Sequence, residues 1–278
     1  MASSPIVTSQ KIRRLIGMPF YSEYQVRSPL SAFIKKLWTL DNSGSRLETG
    51  ERAVLPNGCF TIAFISGNGI LVKTRLTDTL LSPGVYFVGQ LTGGITVNLL
   101  PHTKAIMVQL FAWAPVHFSK APMSAYTDRV VPLTDPVISV DILNNPAIAL
   151  AVHRAFVDHF RHNKNTFLIQ QACLLLAGAG GALTVGNLAA QLGCSERQLQ
   201  KQFKQHVGLS PKVFAIILRL RNAVDDIAYP RQAHILLSNL ALENNFYDQA
   251  HFINTFQSIV GMSPAKFDKT AYLLAFKK

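Results

Sequence analysis

Two twelve-residue segments near the carboxyl end of this chain share one pattern, 53 positions apart. Residues 203–214 and residues 256–267 both read F-x-x-x-V-G-[LM]-S-P-x-x-F. A period this long with only two copies is typical of a tandem pair of supersecondary units, because a solenoid needs at least about three stacked repeats. Any fold of this chain must therefore contain the same local unit twice.

Helical spacing precedes the first copy. Apolar residues at i, i+3, i+4 and i+7 predict a one-sided helix that stops at Gly193, and these are Val185, Leu188, Ala189 and Leu192. Ser195, followed three residues later by Gln198, is the pattern of a capping box that opens a second helix. This second helix buries Leu199 and Phe203, so the segment predicts a helix-turn-helix.

The second copy is preceded by the same arrangement. Leu237, Leu240 and Ala241 indicate the first helix, and Asn244-Asn245 is the turn. Asp248 is the expected N-cap of the second helix, whose apolar side is formed by Phe252, Phe256 and Val260. In both copies Ser-Pro, at 210–211 and 263–264, is expected to open a further helix, since proline is tolerated in a first turn.

One face of the first copy's second helix is basic and amide-rich. Four residues fall within an arc of about 100° opposite Leu199, and these are Arg197, Gln200, Lys201 and Lys204. Arginine and glutamine reach base edges in the major groove, and lysine neutralises phosphate. A solvated charged face is the alternative interpretation. We predict DNA contacts from Ser195, Arg197, Gln198, Gln200, Lys201 and Lys204.

The second copy has a different face at the equivalent positions. Adding 53 gives Ala250, Ile253, Asn254 and Gln257, and residues 237–260 contain no lysine or arginine. We therefore expect the second unit to read DNA weakly, or mainly to position the module, through Gln249, His251, Asn254 and Gln257. For His251 a role at the helix cap beside Asp248 is an equal alternative.

The net charge of +12 comes from 27 Lys and Arg against 15 Asp and Glu, although only 15% of residues are charged. This balance favours an anionic partner and excludes an acidic disordered chain or a highly charged coiled coil. Six basic residues and one acidic residue lie between 184 and 221, whereas residues 222–265 contain one basic and four acidic residues. We interpret this as a grip on DNA chiefly through residues 197–221.

The amino-terminal part shows short strands separated by glycine. Phe60, Ile62 and Phe64 alternate with their neighbours, and similar runs follow at residues 69–74, 84–91, 94–100 and 105–113. From residue 141 the apolar spacing becomes three or four, which predicts helices over 141–163 and 165–177. We predict an α+β fold with two domains. An antiparallel β sandwich or barrel-like domain (1–140) is followed by a helical linker (141–181), and an all-α domain with two helix-turn-helix units (182–278) completes the chain.

Residues 183–270 resemble the AraC/XylS family of bacterial transcription regulators. The strings LTVGNLAAQLGCSERQLQKQFKQHVGLSPKVFAIILRLRNA and FYDQAHFINTFQSIVGMSPAKF carry the resemblance. It implies two helix-turn-helix units joined by a long helix, here Lys212–Ala228, about 25 Å long. This length suits two major-groove segments about 34 Å apart. The family usually has glycine where this chain has Asn245, and asparagine tolerates the left-handed backbone of such a turn.

Residues 1–160 resemble more weakly the β-rich domain of some of these regulators, on LPNGCFTIAFISG (55–67) and AYTDRVVPL (125–133). Such a domain senses a ligand or dimerises. The resemblance implies a sequence-specific DNA-binding transcription regulator with the first helix-turn-helix as its main DNA anchor. Its partners would be double-stranded DNA and, left open, a small-molecule effector in the amino-terminal domain, RNA polymerase and a second copy in a homodimer. Its location would be cytoplasmic and nucleoid-associated.

Two other classes of function stay in view. A DNA-repair alkyltransferase-like enzyme with a regulatory tail needs an activated cysteine, but Cys59 has no histidine or basic residue beside it in the sequence. A basic module that binds a membrane surface needs a basic face beside a long apolar one. We expect no enzyme activity and no catalytic residue. Three cysteines without close spacing and scattered histidines predict neither a disulfide, a metal nor a cofactor, and no segment has the apolar length of a signal peptide or membrane span.

Overall fold

The amino-terminal half of the molecule is a pair of antiparallel sheets. The computed structural model describes residues 11–15, 18–74, 77–119, 121–134, 138–160, 164–230 and 236–272. Eleven strands lie in this part of the chain: β1 (Lys11–Leu15), β2 (Met18–Tyr24), β3 (Ile34–Asp41), β4 (Arg52–Val54), β5 (Phe60–Ser66), β6 (Ile70–Lys73), β7 (Asp78–Leu81), β8 (Gly84–Val88), β9 (Ile95–Leu99), β10 (Lys104–Leu110) and β11 (Val130–Pro132).

The larger sheet has the order β1-β2-β3-β10-β5-β8-β11 and the smaller sheet the order β4-β9-β6-β7. All the strand pairs are antiparallel, with Met107 of β10 opposite Trp38 of β3 on one side and Ala63 of β5 on the other. Strands β5 and β6 lie in different sheets, so the glycine-rich turn at 67–69 carries the chain across the sandwich. Strands β1, β2, β3 and β7 have no clear pattern in the sequence.

The central strands are buried on both faces because the larger sheet lies between two layers. Phe60, Ile62 and Phe64 of β5 contribute to a core shared with the helices. Ala63 and Ile65 point the other way, into the core between the two sheets. This alternation is the period-two pattern read from the sequence. The two sheets and the helices that follow them confirm the predicted β sandwich followed by an all-α part.

Among the described residues, seven α-helices follow the strands. They are α1 (Ile148–Phe156), α2 (Lys164–Gly178), α3 (Val185–Gln191), α4 (Glu196–His206), α5 (Pro211–Ala228), α6 (Leu237–Glu243) and α7 (Gln249–Val260). Helix α2 contacts α3, α4 and α5. Its residues Ile169, Ala172 and Leu176 are buried in the same core as Leu199 and Phe203. The predicted domain limits at residues 140 and 181 stay predictions.

Two helix predictions were too long. The segment expected to be one helix over 141–163 is a 3-10 turn (Val140–Asn144) followed by α1, and residues 161–163 lie outside the described residues. Asn145 is extended (ψ 123°) because the following Pro146 disfavours a helical conformation before it. The second Ser-Pro opens only a 3-10 turn, Pro264–Lys266, after which Phe267 is extended.

Candidate DNA-binding surface

The first helix-turn-helix is formed by α3 and α4. Gly193 takes a left-handed conformation (φ 63°) between the two helices. The Gln198 backbone N–H donates to Ser195 Oγ at 3.2 Å, which caps α4 as the sequence predicted. Leu199 and Phe203 have no exposed surface, and the Phe203 ring contacts Phe214 of α5 with 5.5 Å between centroids. The core therefore fixes which face of α4 reaches solvent.

That face carries every residue predicted to contact DNA from the first unit. All six are exposed, namely Ser195, Arg197, Gln198, Gln200, Lys201 and Lys204. The Ser195 hydroxyl already accepts the cap bond, so its role in α4 is structural in this arrangement. Within the described residues, Arg197, Lys201 and Lys204 form no ion pair with a carboxylate. Their charge is directed to solvent and is available to an anionic partner.

The second helix-turn-helix is formed by α6 and α7. Asn245 adopts φ 60°, the left-handed conformation expected at this position of the turn. The neighbouring Asn244 is buried, and its Nδ2 donates to Leu240 O at 3.0 Å and to Asp226 Oδ2 at 3.2 Å. The sequence predicted a turn here but not this tie between the turn and the connector helix α5.

The outward face of α7 is uncharged. Gln249, His251, Asn254 and Gln257 are all exposed, as is Ala250. The His251 backbone N–H donates to Asp248 Oδ1 at 2.7 Å, and its ring packs edge-on against Phe246 with 5.6 Å between centroids. Asp248 is therefore the cap, and His251 is a capped residue whose ring covers the turn.

The basic stretch of residues 197–221 divides into two groups. Arg219 is half-buried, and its Nε donates to Gly181 O at 2.7 Å. Arg221 forms an ion pair with Asp225, one helical turn away on α5, at 3.1 Å. Arg219 ties the connector helix to the chain before α3, and Arg221 is paired within α5 itself. The grip on DNA through residues 197–221 stays a prediction. The exposed cations of the stretch are Arg197, Lys201, Lys204 and Lys212.

The amino-terminal cysteine lies in an environment that the sequence did not show. The fold brings Lys35 and Arg221 near the Cys59 thiol, and both favour the thiolate, but burial outweighs them and raises the pKa of the Cys59 thiol. Burial also raises the pKa of the Cys173 thiol. Thiols held in the protonated state are poor nucleophiles. Among the described residues no group of three or more His, Cys, Asp or Glu could hold a metal ion, and none of the described helices has the length and apolarity needed to cross a membrane.

Two family models match parts of this chain. Residues 188–270 match a helix-turn-helix domain, and residues 22–132 match a domain of unknown function, DUF6597. An uncharacterized HTH-type transcriptional regulator of Staphylococcus aureus is 28% identical over 85 residues, which are 31% of this chain and 11% of that protein. The chain therefore spans about a tenth of that curated relative.

Similar solved structures include a transcriptional regulator and ToxT. An AraC-type DNA-binding domain-containing regulator from Chromobacterium violaceum is 25% identical, with 36% of this chain and 87% of that chain covered and a TM-score of 0.32. ToxT from Vibrio cholerae O395 is 11% identical, with 78% and 95% covered and a TM-score of 0.44.

Two capped helix-turn-helix units joined by the 18-residue helix α5 define a tandem helix-turn-helix protein. The sequence repeat, the geometry of both turns and the matched domain over residues 188–270 agree on this class. The family match covers residues 188–270 and identifies a helix-turn-helix domain, and the resemblance to AraC-type regulators concerns this part of the chain.

Proposed function

We propose that the protein is a sequence-specific DNA-binding regulator whose first helix-turn-helix is the main DNA anchor. The observation that carries this proposal is the contrast between the two recognition helices. Helix α4 presents Arg197, Lys201 and Lys204 to solvent, whereas the outward face of α7 presents amide, imidazole and apolar side chains. Phosphate neutralisation supplies a large share of the affinity of proteins for DNA, so α4 contributes most of it.

The chemistry of each face favours different bases. Arg197 and Gln200 are exposed at the start of α4, where a recognition helix meets base edges. Arginine pairs best with guanine, and asparagine or glutamine pairs best with adenine. On α7, Asn254 and Gln257 suit adenine, and the Ala250 methyl group suits the methyl group of thymine. The first half-site is therefore expected to contain guanine and the second to be rich in A·T pairs.

The connector sets the separation of the two units. Helix α5 has 18 residues, which corresponds to about 27 Å at 1.5 Å per residue. Two recognition helices at its ends can enter successive major-groove segments on one face of the duplex, about 34 Å apart. We propose that both units bind one duplex in this way.

The β domain is proposed to regulate this binding through an effector or a second copy of the chain. Buried Gln90 supports the effector option, because neither polar atom of its side chain has a protein partner among the described residues. A buried amide without a partner is costly, so a polar ligand or water is expected to satisfy it. The aromatic residues of β5 and β8 are packed, with the Phe60 and Phe87 rings stacked at 5.5 Å.

The alternative functions have less support. An alkyltransferase-like reaction needs a thiolate, and burial keeps Cys59 protonated. The basic face of α4 lies on a capped helix within a helix-turn-helix and not beside a long apolar face, as a membrane-binding helix requires. Contact with RNA polymerase, a homodimer and a cytoplasmic, nucleoid-associated location stay predictions that follow from the proposed function.

Selection from a pool of random duplex DNA tests the proposal. The full-length protein should enrich a site with a guanine-containing tract and an A·T-rich tract about one helical turn apart. Arg197→Ala should relax the preference for guanine in the first tract, and Asn254→Ala should relax only the second. Enrichment of no common site would contradict the proposed function, and two guanine-rich tracts would contradict the assignment of bases to the two helices.

A further inference from the structure

Two loops of the β domain reach the same part of both helix-turn-helix units. Loop A (residues 89–94) connects β8 to β9, and loop B (residues 122–129) precedes β11. The Thr127 hydroxyl of loop B donates to Gly208 O at 2.9 Å, and the Gly94 N–H of loop A donates to Ile259 O at 2.8 Å. Helix α4 ends at His206 and α7 at Val260, so both bonds are made to carbonyl groups at the carboxyl end of a recognition helix.

The two loops are joined to each other by Asp128. Its Oδ1 accepts from the Thr92 N–H at 2.7 Å, and its Oδ2 accepts from the Thr92 hydroxyl at 2.6 Å. The Asp128 N–H donates to Gln90 O at 2.8 Å. Asp128 takes a left-handed backbone (φ 57°), a conformation that aspartate tolerates better than most residues. The carboxylate therefore links the loop that contacts α7 to the loop that contacts α4.

Backbone groups meet closely where loop A contacts loop B and where loop B contacts the turn after α4, so these segments have little freedom to slide past one another. A Cβ atom at Gly89 would lie 1.7 Å from Tyr126 O, so only glycine allows loop A to approach loop B. A Cβ atom at Gly208 would lie 2.8 Å from Met123 O, so the turn after α4 rests directly on loop B. Such contacts have one favourable arrangement, because packed backbone groups do not deform continuously.

The contacts of loops A and B leave the DNA-facing sides of α4 and α7 exposed. Arg197, Lys201, Asn254 and Gln257 are exposed while the carboxyl ends of their helices are held. The contacts are therefore suited to positioning the two recognition helices and not to blocking them.

Resting on the proposed DNA-binding function, we infer that Asp128 is a positioning residue for DNA recognition. By bracing loops A and B it holds the carboxyl ends of α4 and α7 at a fixed separation. The protein then accepts operators whose two half-sites have the matching spacing and rejects those with inserted or deleted base pairs.

Hydrogen exchange of the full-length protein without DNA tests the brace itself. Asp128→Gly removes the carboxylate but tolerates the left-handed backbone. Because Asp128 is exposed, its loss leaves no charged group buried. We expect exchange to rise about fivefold at residues 207–209 and 259–262, since loss of a braced bond promotes local opening. Asp128→Asn retains an acceptor for the Thr92 N–H and should restore protection.

A matched control exists at the far end of the sheet. The Asp41 carboxylate accepts from the Ser43 N–H and hydroxyl, at 3.1 and 2.6 Å, the same pair of bonds that Asp128 receives from Thr92. Asp41→Ala should leave exchange at both helix ends unchanged. Thr127→Val, which removes only the bond to Gly208, should raise exchange at residues 207–209 alone. Unchanged exchange in Asp128→Gly would contradict the inference that Asp128 holds the carboxyl ends of α4 and α7 in place.

Spacing discrimination tests the consequence. The probes are a duplex selected from a random pool by the wild-type protein and the same duplex with one to three base pairs inserted between its two tracts. For each protein, the Kd for the duplex with the insertion is divided by the Kd for the selected duplex. This ratio should be at least about fivefold smaller for Asp128→Gly than for the wild type, Asp128→Asn and Asp41→Ala. An equal ratio in Asp128→Gly overturns this inference alone. A wild-type protein that selects no duplex contradicts the proposed function and this inference together.

Discussion

Removing two cations from α4 gives the most quantitative prediction. Each phosphate contact on duplex DNA contributes about −0.9 to the slope of log K against log salt concentration. The exposed Lys201 and Lys204 are expected to make one contact each, so Lys201→Ala/Lys204→Ala should reduce the slope by about 1.8. Counterion release alone then predicts an affinity loss of about 200-fold at about 50 mM salt and about 20-fold at about 200 mM.

Fluorescence anisotropy of a labelled duplex, titrated with full-length protein at four or more salt concentrations, measures both quantities. Asn254→Ala/Gln257→Ala removes no charge from α7 and should leave the slope unchanged. Arg46→Ala/Arg154→Ala removes the same net charge from exposed positions of the β domain and α1, and it controls for the overall charge. Equal losses in the α4 and α7 double variants, or an equal slope change in the control, would refute the assignment of the anchor to α4.

Three further predictions concern stability. Asp248→Ala removes the cap of α7 and should lower the free energy of unfolding in urea by about 1 kcal/mol, and no change would contradict the role of the cap. Burial lowers the pKa of the His206 imidazole below its ordinary 6.5, so the unfolded chain protonates first and the free energy of unfolding should fall as the pH drops through 6.5 towards that lower value. His206→Gln should flatten this part of the curve, and an unaltered curve would contradict it. In the protein without a ligand, Gln90→Met should leave the free energy of unfolding unchanged or raise it by about 1 kcal/mol, whereas a loss would show that water already satisfies the amide and would contradict the effector option.

Local patterns predicted the helix-turn-helix units well. The caps at Ser195 and Asp248 and the turns at Gly193 and Asn245 all depend on residues within a few positions of one another, so short-range spacing was enough to place them. Strand β5 was equally clear, because alternation survives even where both faces of a strand are buried.

The unpredicted features depend on long-range contacts. Thr92 and Asp128 are 36 positions apart, and Thr127 and Gly208 are 81 positions apart. No periodicity connects such residues. A backbone carbonyl can accept a hydrogen bond whatever the residue type, so the sequence does not indicate which carbonyl is the acceptor. The pairing of Arg221 with Asp225 shows that a count of basic residues also overstates the charge available to DNA. A basic residue on a helix counts towards the charge of the chain but is unavailable to DNA when a neighbouring carboxylate binds it.

A hydroxyl-radical footprint of the full-length protein on a selected duplex tests the central claim most directly. Binding through two helix-turn-helix units predicts two protected tracts on one face of the duplex, about ten base pairs apart. Lys201→Ala/Lys204→Ala should weaken protection at both tracts, whereas Asn254→Ala/Gln257→Ala should weaken mainly the tract bound by α7. A single protected tract, or protection spread evenly along the duplex, would contradict the account.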